Sequence, residues 1–188
     1  REIGLRERSY NDTTRSRAER MHDNEVNRAN YQAQIDIASA FGLRRESICG
    51  GHYQLKDVSI YKLASDDKLY AAVIEKGGRY RTAPCLESHQ KHLEMRYTQI
   101  EVKDHHMDKE GFKANYMASE NVLFEKYSNR IDNHELRHQY ARELYQELVE
   151  RKGYADANYR GYDEQILLKV SEALGHSRPS VVVEHYLR

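Results

Sequence analysis

The sequence predicts a mainly α-helical chain carrying one small three-stranded antiparallel β-sheet, an α+β arrangement. Three observations predict it. Leu136, Tyr140, Leu144 and Leu148 recur at every fourth position, the period of one helix face. Between residues 58 and 84, short runs of β-branched and aromatic residues are cut by Ser65-Asp66-Asp67-Lys68 and by Lys76-Gly77-Gly78, which turn the chain back on itself. No internal repeat or low-complexity tract divides the rest, so residues 21–188 read as one domain and residues 1–20 as a linker or N-terminal arm.

The arm is rich in arginine (Arg1, Arg6, Arg8, Arg15, Arg17, Arg20) and has no hydrophobic period. A helix is expected from about Arg20 to Phe41, its stripe formed by Val26, Ala29, Ala33, Ile37 and Ala40, with Gly42 as its C-cap. A second begins near Arg44 and stops at Cys49-Gly50-Gly51. Three strands follow, around Val58–Tyr61, Leu69–Ile74 and Tyr80–Ala83, the last ended by Pro84. Helices are then expected over Glu87–Val102, with Leu93, Tyr97 and Ile100 inward, and over Ser119–Tyr127. Asp132 or Asn133 caps the strong helix that Gly153 ends. A loop covers 153–162, a helix runs from about Asp163 to Leu174, Gly175 stops it, and a last short helix carries Val181, Val182, Val183 and Tyr186.

Composition narrows the function classes. Thirty Lys and Arg balance thirty Asp and Glu, so the formal charge is zero. A nucleic-acid binder usually carries a basic excess, because released counterions drive binding; any basic face must be offset by an acidic one. No apolar run approaches the ~20 residues of a membrane span, and no signal-peptide pattern opens the chain. Cys49 and Cys85 fit neither a disulfide framework nor a metal knuckle, which reads as an intracellular protein with free thiols. The chain opens on Arg1, which predicts a fragment or a processed chain. Adjacent His105 and His106 point apart on any regular element, so no metal is expected there.

Two polar groups stand out near the C-terminus. His134-Glu135-Leu136-Arg137-His138 opens the strong helix, and Leu174-Gly175-His176-Ser177 closes the next, ten residues before Tyr186. The first string matches the H-E-x-x-H pattern of zinc peptidases. There His134 and His138 would bind zinc, Glu135 would be the general base, and a third ligand would be needed. The position six past His138 is Leu144, which leaves Glu164 or Glu172.

Read with Arg137 in place of His138, the boxes resemble the tyrosine recombinase (phage integrase) family. That family carries an H-x-x-R box, an L-G-H box, and a nucleophilic tyrosine about nine or ten residues later. It also has an upstream G-L-R box, matched by Gly42-Leu43-Arg44, and a K-G hairpin before a strand-ending proline, matched by Lys76-Gly77-Gly78 and Ala83-Pro84. The likeness spans residues 25 to 188 in order. It departs in the gap from His176 to Tyr186, one longer than in many members, in His185 beside Tyr186, and in a chain that stops two residues later.

The resemblance implies a tyrosine recombinase catalytic domain, with an N-terminal DNA-binding domain outside this sequence. Tyr186 would attack a DNA phosphate to form a 3′-phosphotyrosyl bond. Arg44 and Arg137 would clamp the non-bridging oxygens, since guanidinium forks match them in paired hydrogen bonds. His134 would take the proton, His176 would bond the phosphate or orient Tyr186, and Lys76 would protonate the leaving 5′ oxygen. Arg45, Arg79, Arg81 and Arg178 would lie at the DNA. It also implies a tetramer on a double-stranded recombination site, accessory DNA-bending proteins, no metal or cofactor, and a cytoplasmic, nucleoid-associated enzyme of a bacterium, phage or mobile element. A type IB topoisomerase would use the same residues but reseal the same strand.

Overall fold

The computed structural model describes residues 16–49, 58–75, 78–97, 100–112 and 131–187. Lys76 and the helix expected over Ser119–Tyr127 lie outside the described residues.

The N-terminal helical region is two helices, α1 (Arg17–Asn27) and α2 (Gln32–Phe41), not one. A Ser16–Glu19 capping box starts α1 inside the expected arm. Because the helix is interrupted at residues 28–31, the expected stripe does not carry through: Val26 is 63% exposed, whereas α2 is buried on nearly every side. The inward residue of α1 is polar. Asn24 donates to the Asp132 carbonyl at 3.1 Å and accepts from its amide at 2.8 Å. Gly42, at φ +62°, ends α2, and a short α3 (Arg45–Cys49) follows.

The sheet has four strands in the order β3-β2-β1-β4. β1 (Val58–Leu63), β2 (Lys68–Glu75) and β3 (Arg79–Pro84) form the expected antiparallel meander. The fourth was not expected. α4 (Glu87–Arg96) stops short of Val102, and β4 (Glu101–Lys103) runs parallel to β1, Tyr61 opposite Glu101. A polar three-residue strand has no periodicity of its own; the open edge of β1 recruits it. The fold is therefore mixed α/β with a mixed sheet.

Alternation gives the sheet two faces. Val58, Leu69, Ala71, Val73 and Ala83 pack with α2, α3 and Leu93, while Tyr61, Leu63 and Ala72 pack with Met107 and Phe112. α5 (Asn133–Lys152) lies between α2 and the C-terminal helices. Asp132 accepts from the Glu135 amide at its start, and Gly153 at φ +93° closes it. α6 (Glu164–Ala173) and α7 (Pro179–His185) share a second core with Tyr140, Ala141 and Leu144 of α5. Among the described residues no helix is long and apolar enough to cross a membrane.

Candidate functional site

The site forms where the first turn of α5 meets the ends of α2, α6 and α7. Arg137 is 2% exposed, the inward neighbour of Leu136. Its Nη1 donates to the Gly42 carbonyl at 2.6 Å, its Nη2 to the Leu174 carbonyl, and its Nε to the Tyr186 hydroxyl at 3.1 Å. Two exhausted helix ends, α2 and α6, thus offer their spare carbonyls to one guanidinium. Burial pulls the Arg137 pKa below the usual guanidinium value, while Tyr186 and Glu75 support its charge.

Leu174-Gly175-His176 is a Schellman turn. The Gly175 amide bonds the Glu172 carbonyl at 3.0 Å, the His176 amide bonds the Ser171 carbonyl at 2.8 Å, and Gly175 takes φ +82°. The box is therefore a helix cap, and the cap aims His176 at α7, whose end places Tyr186. His176 Nε2 lies 3.3 Å from the Tyr186 hydroxyl. Burial first, then Arg137 and Arg44, lower the His176 pKa to about 4, so the ring is neutral near pH 7. The arrangement that satisfies all three groups has Arg137 donating to the phenol oxygen and the phenol proton directed to His176 Nε2.

Arg44 is half-buried just before α3, close enough to His176 and Glu75 to shift both. His134 does not bond Tyr186. Its Nε2 meets His138 Nε2 at 3.0 Å, and its ring centroid stands 6.2 Å from that of Tyr186. The His138 ring is nearer, at 5.1 Å. Burial first, then His134 and nearby arginines, drop the His138 pKa to about 3. Of the residues expected at the DNA, Arg79 and Arg178 are exposed and Arg45 is half-buried. Arg81 is not at the surface. It is 8% exposed, and its Nη2 donates to Glu75 at 2.8 Å.

Glu135 has a different occupation from the one a zinc peptidase requires. Its side chain is 1% exposed and meets Arg17 at 3.0 Å, Arg142 at 3.2 Å and Arg20 at 3.8 Å. A carboxylate spent on three guanidiniums is a poor general base. Among the described residues no group of three or more His, Cys, Asp or Glu side chains is placed to hold a metal ion.

The residues that sequence reasoning missed are Glu75 and the true position of Arg81. A signal existed: Glu75 continues the inward series Leu69, Ala71, Val73 along β2, and a charge on a core face calls for a buried partner. No family model matches the chain, and none of the curated proteins or solved structures compared with it matches either.

Proposed function

We propose that the chain is the catalytic domain of a tyrosine-type DNA recombinase. One observation carries the reading: the Tyr186 hydroxyl is held between a guanidinium N–H and a neutral imidazole nitrogen. A phenol is a weak nucleophile while protonated. His176 offers a lone pair for the proton, and Arg137 stabilises the phenolate that forms.

In the proposed step the phenol oxygen bonds the phosphorus of a double-stranded DNA phosphodiester. The P–O5′ bond breaks, the phenol proton passes to His176, and the 5′ oxygen leaves as a hydroxyl on receiving a proton from Lys76. The reverse attack by a partner strand's 5′-hydroxyl rejoins DNA and releases Tyr186. A guanidinium has five N–H groups, of which Arg137 commits three to protein acceptors, leaving one on each Nη for phosphate oxygens. Arg44 supplies the second clamp. His134 and His138 border the nucleophile, and Arg45, Arg79 and Arg178 contact the DNA backbone. Assembly would be a tetramer on a recombination site of a phage or mobile element.

The test is covalent trapping with chelator present. The chain is mixed with nicked DNA duplexes of randomised sequence and resolved under denaturing conditions. A protein–DNA adduct that Tyr186→Phe abolishes, with DNA binding retained, is expected. An adduct that persists in Tyr186→Phe overturns the nucleophile, and chelator-sensitive activity overturns the metal-free chemistry.

A further inference from the structure

Two charged side chains beside the site have no task in the chemistry above. Glu75 ends β2 and Arg81 lies on β3, both on the inward face of the sheet. Val73 pairs with Arg81 and Glu75 with Arg79 across the strands, so Glu75 and Arg81 are diagonal neighbours. Arg81 Nη2 donates to Glu75 Oε1 at 2.8 Å, and its Nη1 donates to the carbonyl of Ala173, the last residue of α6. Both residues are at least nine-tenths buried.

The pair forms the floor of the turn that carries His176. A Cβ on Gly175 would stand 2.9 Å from Arg81 Cδ, from Arg81 Nε and from Glu75 Oε2. Only a bare backbone lies this close, and His176 is the next residue. A buried ion pair contributes little net stability, because desolvation offsets its attraction. What it does supply is fixed geometry, here a bond from the β2–β3 hairpin to the end of α6. The carboxylate also offsets repulsion among three cations: burial raises the Glu75 pKa, but Arg81, Arg137 and Arg44 together hold it below the usual value.

We propose that Glu75 and Arg81 are positioning residues that hold the Gly175–His176 turn so that His176 Nε2 meets the Tyr186 hydroxyl; this rests on the reading of Tyr186 as nucleophile. Neither side chain touches the reacting atoms. Glu75 fixes the Arg81 guanidinium, Arg81 fixes the end of α6, and the turn presents the imidazole.

The test is a double-mutant cycle on the rate of adduct formation. A DNA sequence recovered from the wild-type adduct is made as a single nicked duplex. Glu75→Gln keeps the size and removes the charge, and it is compared with wild type, His176→Ala and the double variant. Glu75→Gln is expected to slow adduct formation about 10- to 100-fold, the scale of a small misplacement of a reacting group, with DNA affinity unchanged. In the His176→Ala background the same change is expected to cost less than about twofold, because the group it positions is gone. Equal losses in both backgrounds, or a wild-type rate, overturn the proposal while leaving the nucleophile assignment intact. Arg81→Ala risks misfolding, so Arg81→Lys, whose ammonium lacks the planar fork that reaches Glu75 and the Ala173 carbonyl together, is the second variant, with the same expectation in the two backgrounds. A wild-type chain that forms no Tyr186-dependent adduct on any duplex of the library overturns the underlying reading, and this proposal with it.

Discussion

Arg137 Nε donates to the Tyr186 hydroxyl at 3.1 Å, joining the first turn of α5 to the end of α7 across 49 residues of sequence. The same guanidinium bonds the carbonyls of Gly42 and Leu174. One side chain therefore ties four helix ends together and holds the oxygen we assign as nucleophile.

Arg137→Lys is expected to lose both stability and chemistry. An ammonium cannot satisfy three acceptors at fork geometry, and the buried carbonyls left unpaired cost about 1–3 kcal/mol each. Adduct formation should fall by at least about 100-fold, the scale of removing one preorganised donor. Wild-type rates in this variant would argue against a phosphate clamp.

Glu135→Gln separates the two readings of the His134–His138 string. Its carboxylate is buried among Arg17, Arg20 and Arg142, so the neutral amide should lower stability by about 1–3 kcal/mol, since hydrogen bonds to charged groups are weakened. At a temperature where the variant is folded, its rate of adduct formation should stay near wild type. Loss of the reaction in folded protein would give Glu135 a chemical role.

Gly42→Ala should be strongly destabilising. Gly42 sits at φ +62°, and an added Cβ would overlap the Tyr140 ring. Left-handed backbone costs a non-glycine residue of order 1–3 kcal/mol, and the clash adds to it. The measurement is urea unfolding; a midpoint near wild type would mean that α2 and α5 can separate freely.

Stability should fall as pH drops from about 7 toward 4. The folded pKa values of His138 and His176 lie at about 3 and about 4, below the ordinary 6.5. In that window the unfolded chain takes up protons that the folded chain refuses, so stability is complete above the unfolded pKa and declines as pH falls. The His134–His138 contact has the same sign, because a hydrogen bond between two Nε2 atoms needs one lone pair. Melting temperature followed from about pH 7.5 to about pH 5 should slope downward, and His138→Gln should flatten the slope. An unchanged slope would show that His138 takes its proton normally.

The sequence by itself determined the elements whose causes are local. Asp132, Gly153, Asp163 and Gly175 cap their helices through bonds that span only a few residues, and the three-strand meander follows from its turns. The two polar boxes were legible because their spacing survives folding. Tertiary structure decided everything that depends on a partner from far along the chain. It added β4 to the edge of β1, and it turned the polar Asn24 of α1 inward against Asp132, 108 residues away. It took Arg81 from the expected DNA surface and buried it against Ala173, 92 residues away, and it gave Glu135 to three arginines. Caps and turns are settled by neighbours within one helical turn. The alternation along β2 marks Glu75 as inward, but what a buried charge meets is settled by which segment packs over it, and no local pattern encodes that.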